Sequence, residues 1–135
     1  MGALTAEYFN TVIGFDAGEE IKEVINQGQY LDKATHQAKS CYLVFTNVRM
    51  LIYIDVPVKK GLFKKKSEPV AMLGYMPYED IDHLEQATAQ GNDSFCKAVM
   101  KNGGECIFCV FGSFFGPLAK KVCEYSGKDI PRKRK

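Results

Sequence analysis

A chain of 135 residues suits one domain with a sizeable core. Its content, 46% hydrophobic and 25% charged, is that of a folded globular protein, and a net charge of +2 is too small to direct it to nucleic acid. Five cysteines, an odd number in apolar surroundings, argue against a disulfide-stapled secreted module, and no apolar run approaches the roughly 20 residues of a membrane-spanning helix.

The expectation from those totals is a cytosolic chain with free thiols. "MGALTA" begins like a myristoylation site, but Ala6 stands where Ser or Thr is required, so no lipid anchor is read there. In "ALTAEYFNTVIGF" (3–15), Leu4, Phe9, Val12 and Ile13 fall on or near one helical stripe, with Thr5 placed to cap it. In "DAGEEIKEVINQGQYLDKA" the register shifts, and Gly28 with the spread of Val24, Tyr30 and Leu31 favours a strand near 22–31.

"CYLVFTNVRMLIYID" (41–55) is the clearest element. Two β-rich runs flank Asn47-Val48, and a turn there sets Phe45 against Met50, Leu43 against Ile52 and Cys41 against Ile54. The other face then pairs Val44 with Leu51 and Tyr42 with Tyr53. Both faces are apolar, so one lines a core and the other needs a separate cover.

"PVKKGLFKKKSEP" (57–69) follows, with five lysines around a Gly-Leu-Phe tip. "PVAMLGYM" (69–76) reads as a strand, and "YEDIDHLEQA" (78–87) as a turn leading into another, with Ile81 and Leu84 inward. "SFCKAVM" and "ECIFCVF" flank "KNGG", where Asn102-Gly103 signals a hairpin. A two-residue turn there sets Phe95 against Val110, Val99 against Cys106, Cys96 against Cys109 and Ala98 against Ile107, making Cys96 and Cys109 neighbouring free thiols. In "GSFFGPLAKKVCEYSG", Pro117 suits a first helical turn, Leu118, Val122 and Tyr125 recur at helical spacing, and Gly127 ends the helix. "KDIPRKRK" reads as a mobile basic tail. The expected organisation is a helical extension over 1–17, a domain over 18–127 and the tail over 128–135.

That order resembles the pleckstrin-homology superfold, especially its GRAM and bacterial PH-like branches. The matching pieces are "AGEEI", the Thr46-Asn47-x-Arg49 turn of "YLVFTNVRMLIYID", "YMPYEDIDHLEQ", "FCKAVMKNGGECIFCVF" and the closing helix. The resemblance covers about residues 18–126 and implies a mainly β fold. The fold so implied is a seven-stranded bent barrel of two antiparallel sheets capped by a C-terminal helix, with the short N-terminal helix outside it.

In PH-like folds the loops after strands one, three and six ring one mouth. The resemblance therefore implies a basic mouth of Lys33 and Lys39, then Lys59, Lys60, Lys64, Lys65 and Lys66, then Lys101. Such a field favours anionic headgroups or acidic peptides, and Leu62 and Phe63 would dip into a bilayer interface. Strand two, "SCYLVFT", lacks the Arg typical of phosphoinositide-binding members, which favours weak, salt-sensitive attraction over specific recognition. Two alternatives stay open. The lysines form a solvated loop that discourages edge-to-edge aggregation, or the chain is a self-associating scaffold. Its interface would then be Leu4, Phe9 and Val12 with the outward set Tyr42, Val44, Leu51 and Tyr53, covered either by the 3–15 helix or by a second subunit.

No enzyme, metal or cofactor is expected. Cys106-x-x-Cys109 on a strand sends its thiols to opposite faces, so they cannot share one ion. His83 lies between Asp82 and Glu85, but on a regular strand Asp82 and His83 diverge, and a solvated edge is the expectation. Nucleic acid is not expected as a partner, since the arginines are only Arg49, Arg132 and Arg134.

Overall fold

The computed structural model describes residues 4–56 and 70–133. A short helix α1 (Ala6–Phe9) precedes strands β1 (Ile21–Asp32), β2 (Gln37–Thr46), β3 (Arg49–Asp55) and β4 (Val70–Pro77). One 3-10 turn (Tyr78–Asp80) then leads into β5 (Ile81–Ala89), β6 (Asn92–Met100) and β7 (Glu105–Val110). Helix α2 (Phe115–Ser126) and a two-residue strand β8 (Arg132–Lys133) complete the order.

Mainly β character, the closing helix and the short leading helix agree with the sequence reading. The barrel of two sheets and seven strands does not. The strands form one continuous eight-stranded sheet in the order β4-β3-β2-β1-β7-β6-β5-β8, with β4 and β8 as its two edges. It stays one sheet because β1, twelve residues long, runs through both halves, pairing β2 over most of its length and β7 at Gly28–Tyr30. The ladder with β2 breaks register between Ile25 and Gly28, a bulge of the kind that bends and twists a strand. Gly28 belongs at that bend, since a Cβ there would lie 2.7 Å from Leu43 Cγ.

The β2–β3 hairpin has the expected register: Tyr42, Leu43, Val44 and Phe45 pair with Tyr53, Ile52, Leu51 and Met50. Its two apolar faces feed two cores. Leu43, Phe45, Met50 and Ile52 join the main core with Leu84, Phe95, Phe108, Leu118 and Val122. α2 lays Phe115, Leu118, Ala119 and Val122 against that core, and Gly127 ends it in the left-handed conformation (φ 70°). Val44, Leu51 and Tyr53 face outward into a second core with Phe9, Ile13 and Val70.

The N-terminal helix is shorter than the 3–15 stripe. Thr5 caps it, its hydroxyl accepting from the Tyr8 amide, and after Phe9 the chain continues in turns. Phe9 is fully buried, its ring 5.1 Å from that of Tyr53 and 6.0 Å from that of Tyr42. Asn26 fixes the segment, exchanging hydrogen bonds with the backbone of Leu4. The cover for the outward hairpin face thus comes from the same chain.

The β6–β7 register is shifted by one residue from the expectation. Cys96 faces Phe108, Ala98 faces Cys106 and Val99 faces Glu105. A two-residue type I′ turn needs positive φ at both central residues, yet here Gly103 is left-handed (φ 94°) and Asn102 is not. The loop is instead three residues long, closed by the Met100 amide on Gly104 O and by Asn102 Oδ1 accepting from the Gly104 amide. Cys96 and Cys109 are therefore not cross-strand partners, and all five cysteines are free thiols.

The tail is also more ordered than the sequence suggests. Ile130 is buried in the main core, the Leu84 amide donates to Pro131 O (2.8 Å), and Arg132–Lys133 run parallel to Leu84–Glu85. Among the described residues no helix is long and apolar enough to cross a membrane.

Candidate functional site

The Thr46-Asn47-x-Arg49 turn carries a dense set of side-chain hydrogen bonds. Arg49 donates to both oxygens of Glu19, Nε to Oε2 at 2.9 Å and Nη2 to Oε1 at 3.1 Å, and Nη2 also reaches Gly14 O. Thr46 Oγ1 donates to Glu19 Oε2 (2.6 Å) and accepts from the amides of Val48 and Arg49. Asn47 bonds Gly18 O through Nδ2 and accepts from the Glu20 amide. The motif thus straps the segment before β1 onto the β2–β3 turn.

The Glu19 side chain is completely buried. Burial alone would raise its pKa, but hydrogen bonds from Arg49, Thr46 and the Asp16 amide, with the guanidinium charge, hold it below the usual glutamate value. The sequence quoted Glu19 only as part of "AGEEI"; its pairing with Arg49 spans 30 positions, and no local periodicity reports it.

Beside this strap opens a cleft of about 550 Å³, bounded by Asn47, Arg49, Tyr75, Glu79, Ser126 and Lys128. Tyr75 is 55% exposed and lies over the Arg49 guanidinium, 5.3 Å from ring centroid to Cζ. Walls of mixed charge, with the Arg49 charge already matched by Glu19, give the cleft no preference for an anion.

The lysine reading divides. Lys59, Lys60, Leu62, Phe63, Lys64, Lys65 and Lys66 lie outside the described residues. What the fold does fix is the pairing of Asp55 with Val70, which holds the two ends of that connection side by side. Lys33 and Lys101 are exposed, in the β1–β2 and β6–β7 turns. Lys39 is committed within the chain, 2.9 Å from Asp32. The Lys101 amide bonds Asp80 O, in the turn just before β5.

The residues read as an interface, Leu4, Phe9, Val12, Tyr42, Val44, Leu51 and Tyr53, come together, but on one another in the second core. The apolar side chains that remain most exposed include Met72, Leu73 and Tyr75 of β4, with Phe111 and Phe114.

His83 differs from its expectation. It meets both carboxylates: Nδ1 is 2.8 Å from Asp82 Oδ2 and Nε2 is 2.7 Å from Glu85 Oε2. The β5–β6 ladder slips register between Ile81 and His83, so Asp82 and His83 do not diverge as on a regular strand. Lys97, opposite Glu85 on β6, reaches both Glu85 (3.6 Å) and Glu105 (3.7 Å). The result is an ionic strip on β5–β7, with His83 held by two partners.

Cys41, Cys96 and Cys109 are buried, and Cys106 and Cys123 are half-buried. Burial pushes Cys41 up to about 12 and Cys106 and Cys109 up to about 11, and it raises Cys96 as well. Protonated thiols are poor nucleophiles and poor metal ligands.

No family model matches the chain, and no curated protein does. Among solved structures, the chain is similar to a DUF1696 family protein with a pleckstrin-homology domain from Shewanella loihica PV-4. The two share 16% identity at a TM-score of 0.50, over 90% of this chain and 89% of that one. The likeness carries the pleckstrin-homology-like fold, without distinguishing a GRAM branch.

Proposed function

We propose that this chain is a non-catalytic binding module of pleckstrin-homology-like fold, recruited to acidic surfaces, anionic membrane headgroups first, through the lysines between β3 and β4. The supporting observation is the Asp55–Val70 pairing, which brings both ends of the connection carrying Lys59, Lys60, Lys64, Lys65 and Lys66 to one point of the surface. Lys33 and Lys101 add exposed charge, whereas Lys39, paired with Asp32, contributes little. Leu62 and Phe63 supply a shallow apolar contact. Several lysines presented together are attracted to an anionic leaflet within a Debye length, without any base or headgroup readout. Vesicle flotation at rising salt tests the reading. Binding to phosphatidylserine-containing vesicles that weakens steeply with salt supports it, and salt-independent or absent binding rejects it.

A non-catalytic role fits the commitments of the reactive side chains. His83 is held by two carboxylates, and burial keeps the Cys41, Cys96 and Cys109 thiols protonated.

One observation favours self-association as a second reading. β4 is an edge strand of eight residues without a charged side chain, and it exposes Met72, Leu73 and Tyr75. The interface then lies on β4 rather than on the outward hairpin face. A solution mass of one 15.1 kDa chain at high concentration rejects this reading; a mass of two that falls on replacing Leu73 by Lys supports it.

A further inference from the structure

The turn between β7 and α2, Phe111-Gly112-Ser113-Phe114, divides the phenylalanines of this stretch between inside and outside. Phe115 is buried in the main core. Phe111 and Phe114 are 73% and 67% exposed, the highest values among the large apolar side chains of the described residues. Backbone hydrogen bonds hold them there. The Phe111 amide donates to Gln27 O (2.9 Å), the Ser113 amide to Val110 O (2.9 Å) and the Leu118 amide to Phe114 O (3.2 Å). Gly112 supplies the left-handed residue the turn needs (φ 84°). Rings presented on a backbone already fixed lose little further freedom when something covers them.

Their surroundings suit a surface that the rings enter better than a partner that fills a socket. The hollow beside Phe111 is small, about 240 Å³, and its walls include the polar side chains of Asn26, Gln27, Gln29 and Ser40. No carboxylate lies along the chain nearby, since Ile107 to Cys123 contains neither Asp nor Glu. Pro117 and Lys120 follow Phe114 at three-residue spacing, and both are exposed. Lys121 is taken up by Glu23 (2.8 Å), whereas Lys120 has no ion pair among the described residues.

The pair also stands on the face from which the β3–β4 connection leaves. Gln29 pairs with Cys109 on one side and with Ser40 on the other. Two residues along β2 from Ser40, the Tyr42 hydroxyl donates to Asp55 Oδ1 (2.8 Å), and Asp55 pairs with Val70. Cys109 and Phe111, like Ser40 and Tyr42, are two residues apart and share a face. Phe111 and the root of that connection are therefore separated by three strand spacings, about 14 Å along the sheet.

We propose that Phe111 and Phe114 are a membrane anchor, their rings entering the interface of an anionic bilayer with Lys120 at the level of the headgroups. The anchor rests on the recruitment to anionic membranes argued above and adds to it an apolar contact. Attraction of lysines to the leaflet is screened as salt rises. Removal of two aromatic rings from water is not.

The chain contains no tryptophan, so Phe111→Trp and Phe114→Trp each carry a single reporter, and Tyr75→Trp on β4 is the control. With phosphatidylserine–phosphatidylcholine vesicles, emission from positions 111 and 114 should shift to the blue and be quenched by brominated phosphatidylcholine, and emission from position 75 should do neither. Phe111→Ser/Phe114→Ser should keep the wild-type circular dichroism and bind at least about tenfold more weakly, by the same factor at low and at physiological salt. Vesicle-bound protein with unquenched tryptophan at both positions, quenching at position 75 instead, or equal binding by the double-serine variant overturns the anchor and leaves recruitment through the lysines standing. Failure of the wild type to bind at low salt overturns both.

Discussion

Arg49 and Glu19, 30 positions apart, form a two-pronged ion pair with side chains 14% and 0% exposed. That pair, with Thr46 and Asn47, ties the chain before β1 to the β2–β3 turn. Removing the guanidinium leaves a buried carboxylate without its counter-charge. Arg49→Met should therefore cost about 3–5 kcal/mol in denaturant unfolding, and Arg49→Lys should recover only part, because an ammonium cannot make both bonds in one plane. The same pair sets an acid limb. The Glu19 pKa is depressed by folding, so its contribution is complete above the usual glutamate value of 4.5 and is lost as pH falls through the lower folded value. Stability of the wild type should fall below that pH, and the fall should be shallower in Arg49→Met.

His83 gives the opposite sign. Hydrogen bonds to Asp82, then to Glu85, hold its pKa above 6.5 against desolvation and, less, the charge of Lys133. Its contribution is complete below 6.5 and fades as pH rises through the raised folded value. Proton NMR should show the His83 imidazole titrating above 6.5, and Asp82→Asn/Glu85→Gln should bring the midpoint down. A midpoint unchanged by that double substitution contradicts the geometry.

Phe9 fills the second core from outside the sheet, against Tyr42 and Tyr53. Phe9→Ala should destabilise the chain by about 3–5 kcal/mol and uncover Val44 and Leu51. Light scattering on the variant should then show association that the wild type lacks at the same concentration. A stable, unassociated variant would mean that residues 4–15 are not the cover for this face.

Gly28 stands where β1 bends, and an added Cβ meets Leu43 Cγ at 2.7 Å and Cδ1 at 2.9 Å. Leu43 is fully buried, so it has little room to move. Gly28→Ala should cost about 1–3 kcal/mol by overpacking, read as a lowered melting temperature. Leu43→Val in the same chain should relieve part of it.

Where local chemistry decides, the sequence carries the answer. Asn47 at a two-residue turn sets the β2–β3 register, Thr5 caps α1, and Gly127 ends α2. Where two local solutions compete, it misleads. Asn102-Gly103 suits both a two-residue and a three-residue loop, and the Asn102 side chain, by holding the Gly104 amide, selects the longer one and moves Cys96 from Cys109 to Phe108. Where the partner is distant, composition says nothing. Neither Glu19 under Arg49 nor Ile130 in the core breaks the pattern of its own segment, and the His83 contacts depend on a register slip that no spacing rule reports. The lysines of the β3–β4 connection are legible as charge, and it is their use that needs measurement.

Co-sedimentation with vesicles of phosphatidylserine and phosphatidylcholine measures that use most directly, comparing wild type with the variant in which Lys59, Lys60, Lys64, Lys65 and Lys66 become Gln. Each lysine held near an anionic surface contributes about 1 kcal/mol, so the variant should lose binding by at least about a hundredfold while keeping its melting temperature. Equal binding by the two chains, or no binding by wild type at low salt, would contradict recruitment through these lysines and leave the β4 edge as the surface to pursue.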